Sequence, residues 1–119
     1  MNGVILLAHG SRDPQWALPF EQIRAAVESR KPDCAVALAY LEHTMPDFAG
    51  AVDMLVERGA ATFIKVVPLF LGPGGHVRGD VPQLIQRASA KHPRIKFDVK
   101  PFIGDARPVL DAIADYAAS

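Results

Sequence analysis

The feature that most constrains this chain is a fourfold alternation of two kinds of segment. Val4-Ile5-Leu6-Leu7-Ala8, Ala35 to Leu41, Phe63 to Leu71 and Ile95 to Val99 are short apolar runs rich in strand formers, beginning about 30 residues apart. The first three lack a polar face, as strands covered by helices on both sides do. The fourth alternates Ile95, Phe97 and Val99 with charged residues and is placed at a sheet edge. Between the runs lie segments with helical spacing and start signals. Asp13-Pro14 reads as an N-cap with proline in the first turn, opening a helix through Arg30 whose Phe20, Ile23 and Val27 share one face; Pro32 stops it. Pro46-Asp47 opens a second helix carrying Phe48, Val52, Leu55 and Val56, closed by Gly59. Asp80-Val81-Pro82 opens a third with Leu84, Ile85 and Ala88 inward. Asp105 to Pro108 opens a fourth with Val109, Leu110, Ile113 and Tyr116 as its apolar positions.

This order predicts a single three-layer α/β domain over residues 1–119, with a four-stranded parallel sheet, right-handed crossovers and helices on both faces. No internal repeat, low-complexity stretch or linker interrupts it. The 119 residues, 50% of them hydrophobic, suffice for a core without disulfides or structural metal. The single cysteine excludes an intramolecular disulfide and suits a reducing compartment. Thirteen basic side chains balance thirteen acidic ones, which argues against a sequence-independent nucleic-acid binder. No apolar stretch approaches the roughly 20 residues that span a bilayer. The start, Met1-Asn2-Gly3, lacks a basic region and its apolar run is broken by His9, so it does not read as a signal peptide. The expectation is a cytoplasmic protein with neither membrane nor nucleic acid as partner.

In a parallel sheet every strand ends at one edge, where open α/β folds bind ligands. The first run ends in His9-Gly10-Ser11-Arg12-Asp13, the second in Glu42-His43-Thr44, and the third in Gly72-Pro73-Gly74-Gly75-His76-Val77-Arg78. Glu42 follows His9 by 33 residues (42 − 9) and His76 follows Glu42 by 34 (76 − 42), one βα unit each time. Three of the four histidines therefore belong to this edge, and only His92 to the opposite one. Two imidazoles and a carboxylate suit a borderline divalent ion and can accept protons near neutral pH. Taken singly, each histidine serves equally as a loop residue bonded to a backbone carbonyl; their coincidence with Glu42 favours a metal. Neighbours on an extended chain point to opposite faces, so Glu42, rather than His43, is expected to face the cleft.

The glycines of Gly72 to Gly75 match neither phosphate-binding fingerprint, and read instead as a sharp turn or a close approach to a flat ligand. Arg12 and Arg78 would make the edge locally basic and favour a carboxylate-bearing ligand, or are solvated loop arginines. Ser11 has no acid partner in sequence and sits in no nucleophile elbow. Cys34 reads as a buried small apolar residue and Trp16 as core, close to the cleft mouth.

At this point a resemblance is visible. Leu6-Leu7-Ala8-His9-Gly10-Ser11-Arg12-Asp13-Pro14, Tyr40-Leu41-Glu42 with Pro46, and Val67-Pro68-Leu69-Phe70-Leu71 followed by Gly75-His76-Val77 and Asp80-Val81-Pro82 resemble the sirohydrochlorin chelatase family. The match runs in order from the first strand to the Phe102-Ile103-Gly104 segment before the last helix. The resemblance implies a ferrochelatase-like fold and insertion of Co²⁺ or Fe²⁺, or Ni²⁺ in some archaeal members, into a tetrapyrrole without ATP. It implies His9 and His76 as metal-contacting histidines, with Glu42 matching the family's acidic residue; these three are the expected catalytic and metal-contacting set. Ser11, Arg12, Gly74, Gly75 and Arg78 are the expected substrate-binding residues. The resemblance further implies no organic cofactor, the metal ion being a substrate, and association of two short chains into a homodimer. The histidine-rich stretch of some members is absent, and the Gly72 to Gly75 loop is richer in glycine than is usual. A carrier that binds tetrapyrrole or metal without turnover is the alternative, and a hydrolase built on Ser11 a weaker third.

Overall fold

The computed structural model describes residues 1–72 and 74–119. Four strands, β1 (Gly3–Ala8), β2 (Ala35–Tyr40), β3 (Phe63–Pro68) and β4 (Lys96–Val99), form one parallel sheet in the order β2-β1-β3-β4, so the alternating fourth run does lie at an edge. Gly3 pairs with both Ala35 and Ile64, which places β1 centrally and aligns its neighbours with it. The ladder continues beyond the strands: Leu41 donates its N–H to the Ala8 carbonyl and Leu69 to that of Leu7. The segments after β1, β2 and β3 thus leave the sheet at a common level.

Helices α1 (Leu18–Arg30), α2 (Phe48–Glu57), α3 (Gly75–Lys91) and α4 (Arg107–Ala118) alternate with the strands. Asp13 caps as its sequence context indicates, accepting from the Gln15 N–H at 3.0 Å, but the turn it opens is a 3-10 helix, Pro14–Ala17. The α-helix starts four residues later. Phe20 and Val27 pack on β1 and β2, whereas Ile23 is exposed; it lies about 60° round the helix from Phe20, beyond the strands that α1 covers. Asp47 caps α2 through the Gly50 N–H at 2.8 Å, and Phe48, Ala51, Val52 and Leu55 are buried. Gly59, at φ 102°, ends the helix in the left-handed region, with the Ala60 N–H returned to the Leu55 carbonyl.

Two expectations fail, the first because tertiary packing overrides local signals and the second because of the direction in which the chain leaves β4. Helix α3 begins at Gly75 rather than at Asp80 and carries Pro82 inside it. Val77 and Val81, one turn apart, are buried together with Ala88. Burying each valine is worth about 1.5–3 kcal/mol, so the pair is of the same order as the combined cost of about 3 kcal/mol for a proline and about 1 kcal/mol for a glycine inside a helix. Helix α4 lies where it was expected but its apolar face is not inward: Val109 is half-buried, Leu110 and Ile113 are exposed, and Tyr116 is 84% exposed. The chain leaves the four-residue β4 through Pro101 and a 3-10 turn, Ile103–Asp105, and α4 rests on that turn instead of the sheet. On the uncovered face of β3, Phe63, Lys65 and Val67 are therefore only half-buried, unlike the fully covered β1 and β2.

The core has two parts. One, between the sheet and α2 and α3, holds Ile5, Leu7, Phe48, Leu55, Ile64 and Val66. The other, between the sheet and α1, holds Val4, Leu6, Val36, Leu38 and Tyr40. Trp16 packs in the second, its ring 4.5 Å from Phe20 and 6.0 Å from Tyr40, and Cys34 is packed against it half-buried. Burial raises the Tyr40 hydroxyl pKa. Among the described residues no helix is long and apolar enough to cross a membrane.

Candidate functional site

The loops after β1 and β2 are fastened to each other. The Glu42 N–H donates to the His9 carbonyl at 3.0 Å. Thr44 Oγ1 accepts from the Ser11 N–H at 3.1 Å and donates to the Ser11 carbonyl at 2.9 Å. Gly10, at φ 101°, allows this approach, because a Cβ there would overlap the Glu42 carbonyl oxygen. The two backbones thus run together past the sheet edge. Their side chains meet: His9 Nε2 lies 3.0 Å from Glu42 Oε1.

Glu42 enters this edge as expected, but His43 enters with it. His43 has φ 65°, the left-handed region, so the chain is not extended there and the alternation of faces does not apply. His43 Nε2 comes within 3.5 Å of the same Glu42 Oε1, and Arg12 Nε donates to His43 Nδ1 at 3.3 Å. One carboxylate oxygen is thereby flanked by two imidazoles, with a guanidinium behind the second. Sequence reasoning could not find this arrangement, since a positive φ at a residue other than glycine leaves no local signature.

His76 stands on the first turn of α3 at the same sheet edge, paired with Asp80 one turn on at 3.1 Å, outside ion-pair range of Glu42. Among the described residues no group of three or more His, Cys, Asp or Glu side chains is placed to hold a metal ion, so the expected set of His9, Glu42 and His76 is not assembled around one point. The structure therefore brings His9 and Glu42 together and leaves His76 as a separate pair. Gly74 is the N-cap of α3 without a side-chain cap bond, and Gly75 its first residue. Arg78 lies over the Phe102 ring at 5.1 Å and 3.5 Å from Asp105. Ser11 Oγ accepts from the Asp13 N–H, a turn-forming role. The readings that involve Pro73 fall outside the described residues.

At the opposite edge His92 Nε2 and Lys91 Nζ both reach Asp53, at 3.1 and 3.0 Å, tying the end of α3 to α2. The Lys91 hydrogen bond, and then that of His92, hold the Asp53 carboxyl below its usual range. A groove of about 480 Å³ runs between α2 and α3, lined by Leu41, Phe48, Val52, Leu84 and Lys91; it does not include His9 or Glu42. The candidate site is an open edge, with His9 and Glu42 about half-exposed. Such an edge suits an ion that is held loosely and passed on.

A parallel sheet in the order 2-1-3-4 with a His–Glu pair at its carboxyl edge defines an open α/β protein whose polar site lies where such folds bind ligands. The chain matches, over 99% of its length and 93% of the other, the crystal structure of a CbiX protein from Marinobacter aquaeolei VT8, with TM-score 0.84 and 33% identity. It also matches 50% of the sirohydrochlorin chelatase SirB of Bacillus subtilis subspecies spizizenii in complex with cobalt, with TM-score 0.70, 30% identity and 99% of this chain covered. The sirohydrochlorin cobaltochelatase of Sulfolobus acidocaldarius is 31% identical over 117 residues, 98% of this chain and 90% of the relative. The CbiX family model matches residues 3–119, and the chain belongs to that family. It spans 31% to 63% of the length of several other curated relatives.

Proposed function

We propose that this protein inserts a divalent metal, Co²⁺ or Fe²⁺ and in a further case Ni²⁺, into a sirohydrochlorin-type tetrapyrrole without ATP. The observation that carries the reading is the His9–Glu42 pair, set at the carboxyl edge of the sheet by two fastened loops, in a chain whose relatives are sirohydrochlorin cobaltochelatases and ferrochelatases. The metal is a substrate, and no organic cofactor takes part.

Insertion exchanges two pyrrole N–H protons for one dication, so the site must hold the ion loosely and accept protons. His9 and Glu42 contact the ion through one imidazole nitrogen and one carboxylate oxygen, too few ligands to retain it. His76, at the same edge on α3, serves as a further contact and proton acceptor, with Asp80 orienting its ring. As the nitrogens close on the metal, their protons pass to these bases and then to water. The carboxylates of the macrocycle meet Arg12 and Arg78, the Ser11 loop, and the free N–H groups at the Gly74-Gly75 start of α3.

An open edge covers one side of a flat macrocycle. A second copy of the chain supplies the other wall, and the homodimer is the working form. Its supports are the unpartnered apolar face of α4 and the size of SirB, half of which this chain matches. The protein acts in the cytoplasm.

The test is anaerobic incubation with sirohydrochlorin and Co²⁺, Fe²⁺ or Ni²⁺, followed by visible absorption. The expected result is many turnovers at a rate above spontaneous insertion. Stoichiometric binding without turnover identifies a carrier instead, and no acceleration overturns the reading.

A further inference from the structure

We propose that His43, turned onto Glu42 by its left-handed backbone and held there by Arg12, is a positioning residue for the metal-contacting carboxylate. The inference deepens the chelatase reading and rests on it. Arg12 Nε–H occupies Nδ1 of His43 at 3.3 Å, so neutral His43 carries its proton on Nε2, the atom 3.5 Å from Glu42 Oε1. His9 Nε2 approaches that same oxygen at 3.0 Å. His9 Nε2 is thus hydrogen-bonded to Oε1 and His43 Nε2 stands beside the same oxygen, while among the described residues Oε2 accepts no hydrogen bond. The carboxylate is bonded by His9 and walled by His43 on one side, and presents its other oxygen to an incoming ion.

The backbone does not explain the imidazole. Asparagine adopts φ near 65° readily, and the loop is already fastened by Thr44 to Ser11. His43 is a third exposed and belongs to neither part of the core. What histidine adds over asparagine is reach: Nε2 extends to Glu42 while Nδ1 meets Arg12. Groups that orient a metal-contacting carboxylate in this way act on the ion through it, and their loss typically lowers metal affinity or activity about 10- to 100-fold.

The test is His43→Asn, which keeps the turn and loses the reach. Co²⁺ is titrated into the protein without tetrapyrrole and followed by visible absorption, and insertion is then measured with sirohydrochlorin. Expected are a Co²⁺ affinity and a kcat each lowered about 10-fold, with KM for sirohydrochlorin unchanged. Arg12→Ala is the companion variant, leaving the 42–46 segment intact; it should also weaken Co²⁺ binding in the absence of tetrapyrrole. If His43→Asn matches wild type in affinity and kcat while Glu42→Gln is impaired, the positioning role is overturned and the chelatase reading stands. If His43→Asn weakens Co²⁺ binding but wild type performs no insertion, the chelatase reading falls and the positioning role stands. Wild type that binds no Co²⁺ overturns both. Should circular dichroism show His43→Asn unfolded, unchanged Co²⁺ affinity in Arg12→Ala overturns the proposal.

Discussion

Gly10 and Glu42 touch backbone to backbone: Gly10 stands at φ 101° with no room for a side chain beneath the Glu42 carbonyl oxygen. Replacing Gly10 by alanine imposes both a left-handed L-residue and a clash with main chain. The expected cost is about 3 kcal/mol, read as a lower midpoint in urea denaturation. The surviving folded protein should insert metal more slowly, because the contact that separates these loops also sets the distance from His9 to Glu42. A stability equal to wild type would show that the two loops are not fastened in this way.

His76 tests the chemistry with little structural confusion. It is exposed in the first turn of α3, where alanine is a better helix former than histidine. His76→Ala should leave thermal unfolding unchanged and lower kcat for insertion. His9→Ala, which removes the partner of Glu42, should lower it about 100-fold or more. Both variants turning over like wild type would remove these histidines from the mechanism.

Asp53 supplies a pH dependence far from that site. Its carboxyl is held below the usual 3.8 by Lys91 first and His92 second, so folding favours its ionised form. A depressed folded-state pKa contributes stability above the ordinary value, and that contribution disappears as pH falls through the lowered one. The group is well solvated, so the contribution is about 0.5 kcal/mol. Asp53→Asn should therefore be slightly less stable than wild type at pH 7, and the difference should shrink below 3.8 and vanish only in acid below the lowered folded-state value. Equal stability at pH 7 would mean that solvent screens the cluster completely.

Ile113 lies on the exposed apolar face of α4 and makes no contribution to the core. Light scattering of wild type should give twice the 12.9 kDa of one chain, and Ile113→Lys should shift it toward 12.9 kDa. Because Ile113 is not buried within the chain, the variant should keep its secondary structure. A wild-type monomer at working concentration would argue against the homodimer.

The strands and helix caps were legible because they are local. Asp13 and Asp47 bond N–H groups two and three residues away, and the alternation of Ile95, Phe97 and Val99 is itself the mark of an edge. His9 and Glu42 could be paired because a parallel sheet sends every strand end to one side. The start of α3 was not legible, since Gly75 and Pro82 argue against a helix that two buried valines impose. Neither was the pairing of His76 with Asp80, which exists only once that helix is in place.

The residue order by itself determined an alternating α/β chain, the family to which it belongs and the edge at which its polar residues gather. Only the tertiary structure decided that Glu42 faces His9 and His43 at once, and that α4 stands away from the sheet. The physical reason is common to both. Each depends on the direction in which backbone leaves an element: the left-handed turn at His43, and the 3-10 turn after a four-residue edge strand. Periodicity records which residues share a face, but not which way the chain turns to present it.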